Sequence, residues 1–312
     1  MEPLRPRDPF ASPRFGQPAT FMRLPVLASP EGLDIALIGL PYDGGCSYRS
    51  GARHGPRHVR DQSSIIRPWN SAIKVVPFDH VRVADCGDVD VPPISIEGAL
   101  DAVERGIASV VGAGAVPVCT GGDHTVTLGV LRAVARRRGR LGLVHFDAHP
   151  DTWDRYFGSP YYHGSTFRRS VEEGLVDGRR AIQVGIRGPL YGPDDFAFHG
   201  EHGLEVIRIE DVKERGVGWV IERLRRLVGG PVYVSFDIDA VDPAYAPGTG
   251  TPEVGGLTSY EAVSLVRGLA GLDLAGADVV EVSPPFDGPG AITGVLAANL
   301  LFEIISVIAL AR

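Results

Sequence analysis

Leu141-Gly142-Leu143-Val144-His145-Phe146-Asp147-Ala148-His149-Pro150-Asp151 is the stretch whose reading decides how this chain folds and where its chemistry sits. The apolar run from Leu141 to Val144 reads as a buried strand, and residues 145–151 run off its end. Side chains two apart on an extended backbone project to the same side. Asp147, His149 and Asp151 can therefore face one point beyond the strand's carboxyl end. Two carboxylates and an imidazole converging on one point indicate a metal site, because a cation offsets charge that crowded.

Two other stretches repeat this pattern. The apolar run 232–236 leads into Asp237-Ile238-Asp239, and the run 116–119 leads into Gly121-Gly122-Asp123-His124. Three strand ends thus offer His124, His149, Asp147, Asp151, Asp237 and Asp239, enough for two metals sharing bridging carboxylates. The plainer reading of each Asp, a cap or turn residue at a strand end, fits one such pair but not three in concert.

Around these stretches the chain alternates strand and helix patterns. Short apolar, β-branched strands are expected at 35–39, 81–86, 116–119, 141–147, 181–186, 204–209, 232–237 and 276–282. Helical patterns are expected from residue 57, over 95–111, 125–138, 166–173 and 217–227, from residue 258, and over 291–311. Segments 152–162 and 241–256 read as loops, the first as an active-site loop, and the stretch after 186 also reads as a loop. Alternation of this kind implies a mostly parallel sheet of about eight strands covered on both faces. The pattern admits a barrel or an open sheet, and in either the carboxyl ends of the strands carry function.

Composition sets outer bounds. The 312 residues carry a formal net charge of −7, which disfavours nucleic acid as a partner. Hydrophobic residues are 44%, ample for a core. Cys46, Cys86 and Cys119 are an odd number without metal-type spacing, which fits a reducing compartment and a cytoplasmic location. No apolar run is expected to reach the length of a membrane span. Residues 1–30 read as an extended N-terminal arm without an apolar signal core, and 31–312 as one domain.

Taken together, Gly121-Gly122-Asp123-His124, Asp147-Ala148-His149-Pro150-Asp151 and Ser235-Phe236-Asp237-Ile238-Asp239-Ala240-Val241-Asp242-Pro243 resemble the three signatures of the ureohydrolase (arginase/agmatinase) family. The loop Ala246-Pro247-Gly248-Thr249-Gly250-Thr251-Pro252 is similar to the family's loop after the third signature. The resemblance runs from Ala19-Thr20-Phe21-Met22-Arg23-Leu24-Pro25 to the last helix. It implies a three-layer α-β-α fold of the arginase/deacetylase kind. Trp153 stands where arginases carry an asparagine, so the chain looks like the agmatinase branch, which includes guanidinobutyrase, guanidinopropionase and proclavaminate amidinohydrolase. Gly185-Ile186-Arg187-Gly188-Pro189-Leu190-Tyr191 with Asp194-Asp195-Phe196 looks closer to guanidino-acid hydrolases. Three residues depart from the family: Pro150 replaces a Thr or Ser, and in His163-Gly164-Ser165-Thr166-Phe167 Ser165 replaces a Thr and Thr166 a Pro.

What the resemblance implies is a hydrolase that cleaves a guanidino C–N bond to urea and an amine. His124, Asp147, Asp151 and Asp237 would hold one metal; Asp147, His149, Asp237 and Asp239 the other. Asp147 and Asp237 would bridge. The oxygen-rich set favours two Mn²⁺ per chain, with Ni²⁺ also compatible. Asp151 would take up and pass on a proton, His163 would shuttle one, and Glu281 would clamp the guanidinium. Thr251 would brace Glu281, and Trp153 would contact the substrate. The expected substrate is agmatine, giving putrescine. The alternatives are an ω-guanidino acid such as 4-guanidinobutyrate, a smaller guanidine, a single-metal hydrolase on the same scaffold, or a catalytically silent partner subunit. The family implies a homo-trimer or homo-hexamer. His145 reads as a satisfied core histidine, His199 as a surface or loop residue, and Asp123 and Asp242 as supporting or turn residues.

Overall fold

The computed structural model describes residues 4–312. Eight strands form: β1 Ile35–Leu40, β2 Val83–Asp88, β3 Val116–Gly121, β4 Leu141–Phe146, β5 Val176–Ile186, β6 Glu205–Arg208, β7 Pro231–Asp237 and β8 Asp273–Val280. They build one sheet in the order β2-β1-β3-β8-β7-β4-β5-β6, every neighbouring pair parallel. The sheet is open, with β2 and β6 at its edges.

Helices cover both faces, as fully apolar strands require. They are α1 Gly55–Gln62, α2 Ile96–Gly112, α3 Val126–Arg138, α4 Thr166–Glu172, α5 Ala197–His202, α6 Ile209–Leu227, α7 Ser259–Arg267 and α8 Ile292–Leu310. Alternation along β4 sends Val144 and Phe146 into one core with residues of α1, α6, α7 and α8, and Leu141 and Leu143 into a second core with α2, α3, α4 and α5. The result is the three-layer α-β-α arrangement. Strands β7 and β8 return to the middle of the sheet between β3 and β4. The four central strands are therefore the ones whose carboxyl ends carry the ligand-type residues.

Three elements differ from the sequence reading. β5 starts at Val176, five residues earlier than expected, because Asp177 and Gly178 hide its start. α5 occupies part of the expected loop; six residues are too few to display a helical period. α6 begins at Ile209, eight residues early, and Gly216, at φ 80°, interrupts it there and masks the periodicity.

The membrane expectation also needs correction. α8 is long and apolar enough to cross a bilayer, with a mean hydropathy of 2.1. Most of it is buried against the sheet and neighbouring helices. Its Glu303 is matched inside the fold, accepting from Asn70 Nδ2 at 2.7 Å and from Arg267 at 2.6 Å. The arm is likewise less free than its sequence suggests. Phe21, Met22 and Leu24 are buried in the core, and Phe21 N donates to Asp85 Oδ2 at 2.9 Å. Arg60 grips the same Asp85 and stacks over the Phe21 ring. Residues 1–3 lie outside the described residues.

The amino end of α8 has no capping side chain at Ala291. Asp287 supplies one instead, its Oδ1 accepting from Thr293 N at 3.2 Å and its Oδ2 from Gly294 N at 3.0 Å. Burial works against the charge, but His58 and these amides outweigh it and hold the carboxyl below its usual range. A depressed carboxyl stabilises above its unfolded pKa and loses that contribution as pH falls through the folded value. Asp287→Ala should cost about 1–2 kcal/mol near neutral pH. The gap to wild type should shrink near about pH 3, below the unfolded carboxyl's pKa. Urea unfolding at both pH values checks this, and an equal gap in acid would contradict it.

Candidate metal centre and active site

The ends of β3, β4 and β7 bring all six sequence-identified ligand candidates into one buried basket. His124 Nδ1 lies 3.0 Å from Asp151 Oδ2, 3.1 Å from Asp237 Oδ2 and 3.3 Å from Asp147 Oδ2. His149 Nδ1 lies 3.1 Å from Asp239 Oδ2 and 3.4 Å from Asp147 Oδ1. Asp147 thus presents one oxygen to each imidazole. Asp237 presents Oδ2 to His124, while its Oδ1 accepts from Asp239 N at 2.9 Å. His124 Nδ1 is completely buried and makes no hydrogen bond among the described residues. A bare imidazole nitrogen facing three carboxylate oxygens fits a cation, and two such groupings fit two cations.

The electrostatics agree. Burial alone would depress both imidazoles, yet the surrounding aspartates raise His124 and His149 well above the usual histidine range. Burial and the neighbouring Asp239 and Asp147 push the Asp237 carboxyl well up, and burial with Asp147 raises Asp239. Asp147 is held well below its ordinary value despite burial, because His145 and His124 favour its charge. Crowded together, these groups favour holding protons on Asp237, Asp239 and the two imidazoles.

Four side chains beneath His124 determine which nitrogen faces the basket. Asp278, buried on β8, accepts from Thr127 Oγ1 at 2.7 Å, Tyr233 OH at 2.6 Å and Ser235 Oγ at 2.6 Å. With its proton given to Asp278, Ser235 Oγ can only accept from His124, and it sits 2.8 Å from Nε2. Nε2 therefore carries the hydrogen and Nδ1 is left bare for a metal.

His145 lies within reach of the first grouping, but both its nitrogens are used. Gln183 Nε2 is 3.0 Å from Nδ1, and Nε2 sits 2.7 Å from Asp147 Oδ2. Gln183 Nε2 also donates to Pro150 O at 2.6 Å, and Gln183 Oε1 accepts from His199 Nε2 at 2.7 Å. His145 is a satisfied core residue that steadies Asp147. His199 is not the surface residue expected: it is buried on α5, and burial with the nearby His145 lowers it to about 4.

Glu281 follows β8 with φ 63°, and Asp151 has φ 48°. Left-handed backbone at a residue other than glycine costs on the order of 1–3 kcal/mol and tends to mark functional sites. Glu281 Oε1 accepts from His124 N at 2.9 Å and lies 3.0 Å from His163 Nδ1. Its Oε2 is buried without a hydrogen-bond partner among the described residues. Burial alone would lower His163, but Glu281 raises it to about 9. The Ser47 amide donates to His163 Nε2 at 3.1 Å, which needs a lone pair there. The Ser47 amide favours the neutral Nδ1–H ring while Glu281 favours the doubly protonated one, in which Nε2 would donate to Ser47 Oγ, 2.7 Å away.

A cleft of about 290 Å³ opens above the basket, lined by Ser47, His149, Asp151, Trp153, Tyr162, His163, Thr251 and Glu253 among others. Thr251 does not brace Glu281. Its hydroxyl reaches Asp239 Oδ2 at 3.3 Å. Thr166 uses the hydroxyl that the family's proline lacks, donating to the carbonyls of His124 and His163 at 3.1 and 3.2 Å. Asp123 and Asp242 are supporting residues: Asp123 receives Gly45 N and Thr125 N, and Asp242 receives the amides of Ala244, Gly255 and Gly256. Ser47, Asp278 and Gln183 went unnoticed in the sequence. No spacing marks them, although Ser235 and His145 lay inside the motifs.

The arginase-family profile matches residues 33–306. The chain is 53% identical to a guanidinopropionase of Pseudomonas aeruginosa over 98% of its own length and 96% of that protein's. It is 48% identical to a guanidinobutyrase of the same organism, over 95% and 94% of the two chains. The solved structure of proclavaminate amidinohydrolase from Streptomyces clavuligerus superposes with a TM-score of 0.93 at 42% identity, over 96% of this chain and all of that one. The chain belongs to the arginase family and is an enzyme of that family.

Ser235→Ala should remove the hydrogen-bond relay to His124 without touching a ligand atom. Metal affinity should fall by about 10–100-fold, read by competition against a chelator. Unchanged affinity would separate Ser235 from the metal centre.

Proposed function

We propose that this enzyme hydrolyses the guanidino C–N bond of a short ω-guanidino acid, such as 3-guanidinopropionate or 4-guanidinobutyrate, to urea and an ω-amino acid. The reaction class is carried by one observation: two imidazole nitrogens share a basket of aspartates, next to a buried Glu281 oxygen that lacks a donor. The substrate class is supported by the 53% and 48% identity to a guanidinopropionase and a guanidinobutyrase.

The ligands of one metal would be His124, Asp147, Asp151 and Asp237, and those of the other Asp147, His149, Asp237 and Asp239. The donor set of carboxylates and imidazoles suits Mn²⁺, with Ni²⁺ as the alternative. When bound, the pair supplies a water acidified to near neutrality and a template that orients it. The protein's own groups do the rest. Glu281 Oε2 accepts N–H bonds from the guanidinium, which fixes the plane of the carbon and offsets its charge. Asp151 receives a proton from the attacking water. Asp151 passes that proton to the departing nitrogen, so the amine leaves as the C–N bond breaks, and His163, beside Glu281, relays a further proton from solvent to the released amine.

Agmatine remains a second reading, favoured by the cleft itself. Among the described residues its lining includes no Lys or Arg and does include the carboxylate of Glu253, an environment suited to a cationic tail. A cytoplasmic homo-trimer or homo-hexamer is the setting we propose for either substrate.

Urea release from 3-guanidinopropionate, 4-guanidinobutyrate and agmatine, side by side with Mn²⁺ or Ni²⁺, tests the choice. The guanidino acids are expected to give the higher kcat/KM, and turnover of agmatine alone would reverse the assignment. Glu281→Gln keeps the shape but removes the negative charge and turns one acceptor oxygen into an NH2 donor. It should retain both metals by elemental analysis while kcat/KM falls at least about 100-fold. Near-normal rates would remove the clamp from the mechanism.

A further inference from the structure

Asp194-Asp195-Phe196 has no part in the chemistry described so far, yet Asp195 joins two loops that border the cleft. Its Oδ2 receives the indole Nε1–H of Trp153 at 3.0 Å and the backbone N–H of Tyr191 at 2.9 Å. Trp153 belongs to the loop after β4, Tyr191 to the loop after β5, and both line the cleft. Their rings meet edge to face, with centroids 5.4 Å apart.

The surroundings leave this contact much of the work of holding the wall. Trp153 is fixed through its backbone by Gly164 O at 3.1 Å. A Cβ at Gly164 would fall 2.9 Å from Trp153 Cε3 and 2.7 Å from Tyr162 Cε2, so glycine there makes room for both rings. The β5 loop is anchored at its start by Arg187, a buried guanidinium that donates to the carbonyls of Gly185, Asp239, Ala240, Glu253 and Val254. At its far end the loop turns through Pro193–Phe196. Between these anchors Tyr191 is 81% exposed. A charged oxygen receiving two N–H groups from separate loops is a strong and directional tie. It also occupies the only donor of the indole, so Trp153 can offer a tail its ring but no hydrogen bond.

We propose that Asp195 is a positioning residue for substrate selection. By clasping Trp153 to Tyr191 it fixes the outer wall of the cleft, and that wall selects among guanidino compounds by the length of the methylene chain beyond the guanidino group. The selection rests on the guanidino-hydrolase reading, whereas the clasp itself does not. Selection by shape should amount to about tenfold or more per methylene.

The test uses the full-length, metal-loaded enzyme and a series of ω-guanidino acids with two, three and four methylenes. In Asp195→Ala, the preference between neighbouring lengths should fall below about threefold. KM for the best substrate should rise about tenfold while kcat stays within about twofold, since no reacting atom is touched. Asp195→Asn keeps an acceptor oxygen and should restore most of the preference, which a general loss of folding would not allow. The second readout needs no substrate: acrylamide quenching of tryptophan fluorescence should increase in Asp195→Ala, and that increase should vanish in the Trp153→Phe background. Unchanged quenching would overturn the clasp. Increased quenching with an unaltered length preference would overturn its role in selection. If wild type hydrolyses none of the series, the guanidino-acid reading fails and takes the selectivity claim with it, while quenching still decides the clasp.

Discussion

Mutual repulsion among buried carboxylates is the constraint on which the rest of this structure depends. Asp147, Asp151, Asp237, Asp239 and Glu281 are all nearly inaccessible to water and meet in one basket. The fold holds them there by supplying donors at short range. Ala148 N donates to Asp239 Oδ1 at 3.1 Å, His149 N to Asp147 Oδ1 at 2.5 Å, and His124 N to Glu281 Oε1 at 2.9 Å. Asp147, Asp237, Asp239 and Glu281 therefore each commit one oxygen to a backbone amide, and Asp237 Oδ2 and Glu281 Oε2 are left toward the centre. A parallel sheet makes this possible because its central strands all end at the same edge, where backbone amides no longer needed by the ladder are available.

Backbone strain belongs to the same solution. Asp151 and Glu281 both adopt left-handed φ. The carbonyl of Asp151 is taken by Phe167 N at 3.0 Å, and Glu281 N is tied to Gly122 O at 2.9 Å. These bonds hold the two residues in conformations that turn their carboxylates inward, where an ordinary strand continuation would send them elsewhere. The support reaches further down through Ser235 to Asp278, and through His145 to Gln183 and His199. The basket is thus rigid because polar side chains two layers deep are paired with one another.

How much of this was legible depends on whether the signal was local. The strands, the three ligand signatures and the inward face at Asp147 and His149 follow from alternation along a single segment. His124 was already marked by its place after the apolar run 116–119, whereas Glu281 needed family resemblance, since nothing within its own segment says that it reaches the basket. Asp278 was invisible because its partners, Thr127, Tyr233 and Ser235, lie in three other elements. Thr251 was misread for a similar reason: the choice between Asp239 and Glu281 is one of loop path, which no pattern in Ala246–Pro252 encodes. α5 and the early start of α6 were missed because short or glycine-broken helices carry too few turns to show a period.

Strand ends and loops divide the labour in this protein. The basket is built on β3, β4, β7 and β8, where the position of every ligand atom is fixed by sheet register and by the buried pairs beneath it. The cleft above is built from loops at 47, 153–164, 187–196 and 251–253, joined by a handful of side chains such as Arg187 and Asp195. A substitution in the first set disturbs charges that cannot be left unpaired, so it affects the reaction as a whole. A substitution in the outer part of the second, at Trp153, Tyr191 or Asp195, moves a wall of rings without uncovering a buried charge, so it changes what the tail meets while the reacting carbon still sits beside Glu281. Cleft and basket do meet, at Thr251 on Asp239, Ser47 on His163 and Arg187 on the Asp239 carbonyl, so the reaction is kept while the substrate varies only where a change falls on the outer wall, away from these three contacts.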